Sequence, residues 1–215
     1  MLCSLGMSGT GVDFSRLAIE TAKQTLRAEI AAGKYRLIEG EVADVVTDLA
    51  DLCLSVSVME HVEDDIAFLR TLSRMVKPGG YVAICVPGRK DCWSFEDDTA
   101  GHLRRYERED LYLVLKKAGL RDPQVWSLAV PTANVLMRLG ARLVKQSGEG
   151  RKLALSQRER TETSGVRSIP WKTTFPAWAR IILNPYSMQP LIAFQRLFYG
   201  TGLGVTMFGF GRLPE

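Results

Sequence analysis

Along residues 7–130 the apolar positions switch between short continuous runs and a rhythm of three to four residues. Met7 to Val12 is a short, glycine-punctuated strand leading into Asp13-Phe14-Ser15. Ala18, Ala22, Leu26 and Ile30 then recur every fourth position up to Gly33, which predicts one amphipathic helix with a glycine cap. Tyr35 to Ile38 reads as a strand ending at Glu39-Gly40-Glu41, and Leu52 to Val58 as a second one rich in small and β-branched residues. From His61 onward, Ile66, Leu69, Leu72 and Val76 fall at helical spacing, and Lys77-Pro78-Gly79-Gly80 stops the run. Tyr81 to Val86 is almost wholly apolar, the mark of a parallel strand covered on both faces. Leu111, Val114, Leu115 and Ala118 give another helix face, closed by Gly119, and Val125 to Val130 the next strand.

Strands alternating with helices predict an α/β chain built on a doubly wound, mostly parallel sheet. Such sheets bind ligands at the carboxyl ends of their strands. Asp13, Glu41, Ser55 to Ser57 and the loop after Val86 therefore become the positions of interest.

Composition narrows the class. The chain has 215 residues, 46% hydrophobic and 24% charged, which excludes a disordered, collagen-like or coiled-coil protein. No run approaches the roughly 18 apolar residues of a membrane span, and the N-terminus has no secretory pattern, so a cytoplasmic setting is expected. Cys3, Cys53, Cys85 and Cys92 show no paired spacing, and His61 and His102 are the two histidines, so no metal site is expected. Cys53 and Cys85 lie in apolar runs and read as buried thiols.

Charge is uneven. Residues 129–180 carry ten Lys and Arg against three Asp and Glu, whereas residues 1–128 are net acidic. The boundary falls near Pro131.

An acid at a strand end, such as Asp13, suits the two hydroxyls of a ribose, or alternatively the first turn of a helix. Glu41 is placed to accept from an adenine amino group, or to be a surface carboxylate. The succession Gly11-Val12-Asp13-Phe14-Ser15, Gly40-Glu41, Val58-Met59-Glu60-His61-Val62 and Val76-Lys77-Pro78-Gly79-Gly80 resembles the class I S-adenosylmethionine-dependent methyltransferases. Glu63-Asp64-Asp65, Val86-Pro87, Asp98 and Gly101-His102-Leu103-Arg104-Arg105-Tyr106 extend the resemblance to a bacterial small-molecule subgroup. It covers roughly residues 5–130.

The resemblance implies a Rossmann-like sheet with an antiparallel last strand and S-adenosylmethionine as cofactor. It implies that Asp13 binds the ribose diol, that Phe14 lines the adenine pocket, and that Glu41 and the Val42 backbone N–H face the adenine edge. Ser55 and Ser57 would lie along the methionine part. Glu60 and His61 would open a helix beside the reaction centre, and the loop from Pro87 to Tyr106 would cover the acceptor. His102, and after it His61, are the candidate bases for an oxygen or nitrogen acceptor. Asp98 is a candidate to orient His102 or to bind a hydroxylated acceptor. Arg104 and Arg105 are candidates to hold a phosphate or carboxylate. Bland readings stand beside these: a loop-fixing hydrogen bond for His102, solvated charges for the arginines, and a packed Tyr106.

The glycine-rich loop of the resemblance has no counterpart here. Gly6-x-x-Gly9-x-Gly11 stands directly before Asp13 and has another order, and Leu2-Cys3-Ser4-Leu5-Gly6 reads as the end of the helix that follows such a loop. A gap in the middle of the sheet is therefore expected. The readings are a longer natural protein, a degenerate member, or a strand replaced by rearrangement or a partner chain.

Beyond residue 130, Val135, Leu136, Leu139 and Leu143 lie among Arg138, Arg142 and Lys145, which gives a basic amphipathic helix. It is either a lid on the sheet or a surface for anionic lipid or an acidic partner. Residues 146–170, with Arg151, Lys152, Arg158, Arg160 and Arg167, read as a polar excursion. They lack the interleaved aromatics of a nucleic-acid site, so no nucleic-acid partner is expected. Pro185 to Tyr199 reads as a buried helix and Val205 to Phe210 as the last strand. The expected parts are thus a core over 1–130, a helical basic insertion over 131–200 and a final strand within 201–215.

The leading expectation is methyl transfer to a small or lipid-linked acceptor. A non-catalytic remnant or binding module is the alternative, and a membrane-peripheral enzyme acting on a polyprenyl or quinone acceptor is the third reading.

Overall fold

Gly9–Asp13 forms strand β1 and pairs in parallel with β2, Tyr35–Glu39. The computed structural model describes residues 5–146, 149–164, 176, 178–179, 183–184 and 186–215. The readings placed on Leu2-Cys3-Ser4, Arg167 and Pro185 lie outside the described residues, as do the side chains of Val135, Arg138 and Leu139.

Between β1 and β2 the sequence rhythm predicts one helix, and the structure has two, α1 Arg16–Thr25 and α2 Arg27–Ala31. Ser15 caps α1 by accepting from the Ala18 N–H at 3.3 Å. The break follows Thr25, whose hydroxyl donates to the Thr21 carbonyl at 2.9 Å. That back-bond competes with the helix ladder at its last turn.

Strand β3, Ala50–Val56, pairs in parallel with β4, Val76–Pro87. Helix α3, Asp65–Ser73, joins them. Asp64 caps it by accepting from the Ala67 N–H at 2.9 Å. The helix ends before Lys77-Pro78-Gly79-Gly80, which belong to β4 instead of terminating α3. Ala50 pairs with Val76 and Leu52 with Tyr81, so these four residues bulge out of the ladder. Pro78 has no N–H to offer, Gly79 takes φ +74°, and a Cβ on Gly80 would meet the Asp51 carbonyl at 2.9 Å. The bulge thus explains the Pro-Gly-Gly run that sequence reading takes for a helix stop.

Helix α4, Phe95–Ala100, and helix α5, Arg108–Lys117, precede β5, Arg121–Leu128. Helix α6, Thr132–Gln146, a 3₁₀ turn over Glu149–Ala154, helix α7, Gln157–Ser164, and helix α8, Gln189–Gln195, then lead to β6, Thr206–Arg212. Strand β6 inserts antiparallel between β4 and β5, so the larger sheet runs β3-β4-β6-β5. The antiparallel last strand agrees with expectation.

Val82, Ile84 and Val86 of β4 are buried in one core with Leu69 and Leu72 of α3, Leu111 and Leu115 of α5, and Met207 of β6. Burial of β4 on both faces is why its sequence reads as a continuous apolar run. Cys53 and Cys85 are free thiols, half-buried on neighbouring strands, and burial pushes both up. The segment around α8 differs from its reading: Ile192, Phe194 and Leu197 are exposed, and α8 buries no residue.

The two sheets do not pair with each other. Residues of β1 and β3 line a common cavity of about 2060 Å³, larger than an ordinary ligand pocket of about 300–1,000 Å³.

Candidate active site

The cavity runs from the carboxyl end of β1 to the loop between β4 and α5. At its first end, the Gly40 N–H donates to the Asp13 carbonyl at 3.0 Å, which ties the ends of β1 and β2 together. Asp13 and Glu41 therefore stand at adjacent strand ends. The Asp13 carboxylate, exposed on the cavity wall, accepts from the Ser15 N–H at 2.8 Å. Phe14 lines the same wall. Val42 opens a 3₁₀ turn, Val42–Asp44, and packs partly against the core.

Ser55 and Ser57 sit at the end of β3 and also line the cavity. Ser55 is buried. Ser57 takes φ 54°, and its N–H donates to the Cys85 carbonyl at 2.9 Å, so this corner holds a side chain in the left-handed region.

At the other end, Met59–His61 form a 3₁₀ turn that turns Glu60 inward and leaves His61 half-buried. Glu60 is 0% exposed, and neither of its carboxylate oxygens has a hydrogen-bond partner among the described residues. Burial raises its pKa to about 7.

Across from it, Ser94 and Asp97 form a reciprocal cap at the start of α4. This leaves Asp97 facing inward at 0% exposure. Asp97 Oδ1 lies 2.8 Å from His102 Nδ1 and 2.7 Å from Arg105 Nε, and Arg105 Nη2 donates to Oδ2 at 3.0 Å. Burial pushes this carboxyl up, but the hydrogen bonds from His102 and Arg105 outweigh it and hold it well below the usual carboxylate range. An ionised Asp97 only accepts, so His102 donates through Nδ1, and Nε2 carries the lone pair of the neutral ring. That nitrogen lies 3.9 Å from Glu60 Oε1.

His61 stands edge-on to His102 with ring centroids 4.8 Å apart. Its Nδ1 lies 3.2 Å from the Gly101 carbonyl and 3.1 Å from the Thr161 hydroxyl. Glu60, His61 and His102 each present a ligand-type atom within 4.8 Å of the others.

Several residues singled out in the sequence have partners other than those expected. Asp98 does not touch His102: it accepts from Trp93 Nε1 at 3.0 Å, and the neighbouring Asp97 does the orienting. Arg104 donates to Asp65 at 3.3 Å and to the Glu63 carbonyl at 2.7 Å, and Arg105 is committed to Asp97 and the Gly88 carbonyl. Both arginines brace the loop instead of presenting open guanidinium groups. Tyr106 is packed, and burial beside Asp65 drives its phenol above the usual range. Sequence reading missed Asp97, although Ser94-x-x-Asp97 carries the spacing of a helix cap. It also missed Arg158, whose Nη2 lies 2.9 Å from Glu41 Oε1.

A family model described as a methyltransferase domain matches residues 3–125. A ubiquinone biosynthesis O-methyltransferase of Rhizobium rhizogenes is 33% identical over 85 residues, 40% of this chain and 34% of that protein. The chain thus spans about a third of the length of the curated relatives it matches. Among solved structures, phosphoethanolamine N-methyltransferase 2 of Haemonchus contortus, in complex with S-adenosyl-L-methionine, superimposes with TM-score 0.57 at 16% identity. The match covers 100% of this chain and 45% of that one. The [4+2]-cyclase SpnF matches with TM-score 0.56 at 13% identity, over 97% of this chain and 67% of that one. At these identities the likeness shows a Rossmann-like fold, and the cyclase illustrates that this fold alone does not fix a reaction. The family match over residues 3–125, joined to the strand order and the paired acids at the strand ends, establishes that this chain belongs to the methyltransferase-domain family, the class I S-adenosylmethionine-dependent group that its sequence resembles.

Proposed function

We propose that the chain binds S-adenosylmethionine across the carboxyl ends of β1 to β3 and directs methyl transfer to the oxygen or nitrogen of a small or lipid-linked acceptor. The observation that carries this reading is one cavity with two chemically different ends: Asp13 and Glu41 at one, and His102 held by Asp97 at the other. The donor set fits the cofactor. Asp13 presents an exposed carboxylate suited to a diol, Glu41 an acceptor suited to an exocyclic amine, and Phe14 an aromatic wall. When bound, the sulfonium supplies an already activated methyl group.

The protein's own part is then alignment and proton handling. His102 Nε2 is the lone pair available to take a proton from an acceptor O–H or N–H. Asp97 stabilises the imidazolium that forms, and Glu60 adds a second carboxylate 3.9 Å from Nε2. The curated relatives named as O-methyltransferases favour oxygen as the acceptor atom.

Peripheral contact with an anionic membrane belongs to the same proposal. No helix among the described residues is long and apolar enough to cross a membrane. On α6, Leu136, Arg142 and Lys145 are exposed, which is the arrangement a helix lying on an anionic surface uses. A second reading, a binding module without turnover, draws on the separation of the two sheets.

Calorimetric titration with S-adenosylhomocysteine tests the cofactor site. Micromolar binding that is lost in Asp13→Ala is the expected result. Absence of binding by a folded chain would overturn the proposal.

A further inference from the structure

Helix α7 lines the cavity through Gln157, Arg158 and Thr161, and its contacts fall on both ends of the site. Its start is fixed by Ser156 and Glu159: the Ser156 N–H and hydroxyl donate to Glu159 Oε2 at 2.8 and 2.6 Å. Arg158 and Thr161 are one turn apart and share a helix face. Thr161 reaches His61 at 3.1 Å. Arg158 reaches the opposite end, with Nη2 2.9 Å from Glu41 Oε1 and its guanidinium carbon 5.7 Å from the centre of the Phe14 ring. The Ser15 hydroxyl donates to the Glu162 carbonyl at 3.1 Å, which anchors the helix beside Asp13. Over α4, Gly101 (φ +77°) leaves room for it: a Cβ there would stand 3.2 Å from the Gln157 carbonyl.

A planar cation on Phe14 and Glu41 engages the two groups assigned to the adenine. One ring face and one carboxylate oxygen cannot serve a guanidinium and a base at the same time. We propose that Arg158 is a latch that holds α7 over the nucleoside end of the cavity and competes with the cofactor for Phe14 and Glu41. This inference rests on the cofactor reading of Asp13, Phe14 and Glu41.

The energetics suit a latch that opens. The side chains of Arg158 and Glu41 are 75% and 50% exposed, so the ion pair is weak and screened by salt. The cation–π contact is of the exposed, modest kind. Cofactor entry displaces the guanidinium, and the same helix then loosens its hold on His61. Occupancy of the nucleoside end is thereby transmitted to the acid–base end through one rigid turn.

The test is calorimetric titration with S-adenosylhomocysteine, a probe without net charge at neutral pH, on the full chain, Arg158→Ala and Asp13→Ala, at about 0.05 M and about 0.5 M salt. The expected result is that Arg158→Ala binds about three- to tenfold more tightly at low salt, that the wild type tightens as salt rises, and that the two converge at high salt. Equal affinity of Arg158→Ala and wild type at low salt would overturn the latch. Weaker binding by Arg158→Ala would also overturn it, by making Arg158 a contact to the ligand. In both cases, loss of binding in Asp13→Ala leaves the cofactor reading standing. If Asp13→Ala binds like the wild type, or if no folded variant binds, the cofactor reading falls and the latch with it.

Discussion

His102 Nδ1 and Asp97 Oδ1 lie 2.8 Å apart, and Arg105 donates to both oxygens of the same carboxylate, at 2.7 and 3.0 Å. This buried ion pair decides which histidine nitrogen faces the cavity. The same carboxylate also accepts from the Ser94 N–H at 2.7 Å, which ties it to the start of α4.

Removing the base tests the proton-transfer role. His102→Ala is expected to lower kcat by about 10²–10⁴-fold with an oxygen acceptor while leaving S-adenosylhomocysteine affinity near that of the wild type. Titration and steady-state kinetics on the same preparation measure both. An unchanged kcat would reassign His102 to loop structure.

Asp97→Ala should cost far more stability than His102→Ala. It strands the largely buried Arg105 guanidinium without its fully buried carboxylate, a loss of about 3–5 kcal/mol by the scale of broken buried pairs. Denaturant unfolding reads this directly.

Stability should depend on pH through Glu60. Its folded pKa is about 7, above the ordinary 4.5, so the folded chain binds more protons than the unfolded chain between these values. Stability therefore falls as pH rises from about 4.5 to about 7, by up to about 3 kcal/mol. Asp97 acts in the opposite direction: its pKa is depressed, so its contribution is lost as pH falls below the ordinary 3.8. Glu60→Gln should flatten the upper window and leave the acid limb intact. Unfolding curves at successive pH values check this, and a variant as steep as the wild type would refute it.

Leu111 is fully buried where α5 packs on β6. Leu111→Ala should lose about 2–5 kcal/mol through lost burial and the cavity left behind. The midpoint of denaturant unfolding measures it.

Membrane contact should be electrostatic. The chain is expected to co-sediment with anionic vesicles at low salt, and reversal of Arg142 and Lys145 to Glu should abolish this. Absence of sedimentation at low salt would remove the peripheral reading.

Much of this protein is local and therefore legible in the chain. Strands and helices follow the apolar period, because burial of β4 on both faces and of single faces on α3 and α5 leaves a repeating signal. Asp13 and Glu41 are found at strand ends because their places depend only on where each strand stops. The Pro-Gly-Gly bulge is misread because its reason, close approach of Gly80 to Asp51, belongs to pairing across the sheet. Asp97 and Asp98 are neighbours with the same chemistry, and only the packing of α4 turns one inward and the other toward Trp93. Glu60 and Arg158 take their meaning from groups far along the chain: His102 for one and, 117 residues away, Glu41 for the other. Local pattern fixes the elements, whereas a site assembled from distant side chains exists only once those elements are packed, because its distances and its desolvation are properties of the packed state.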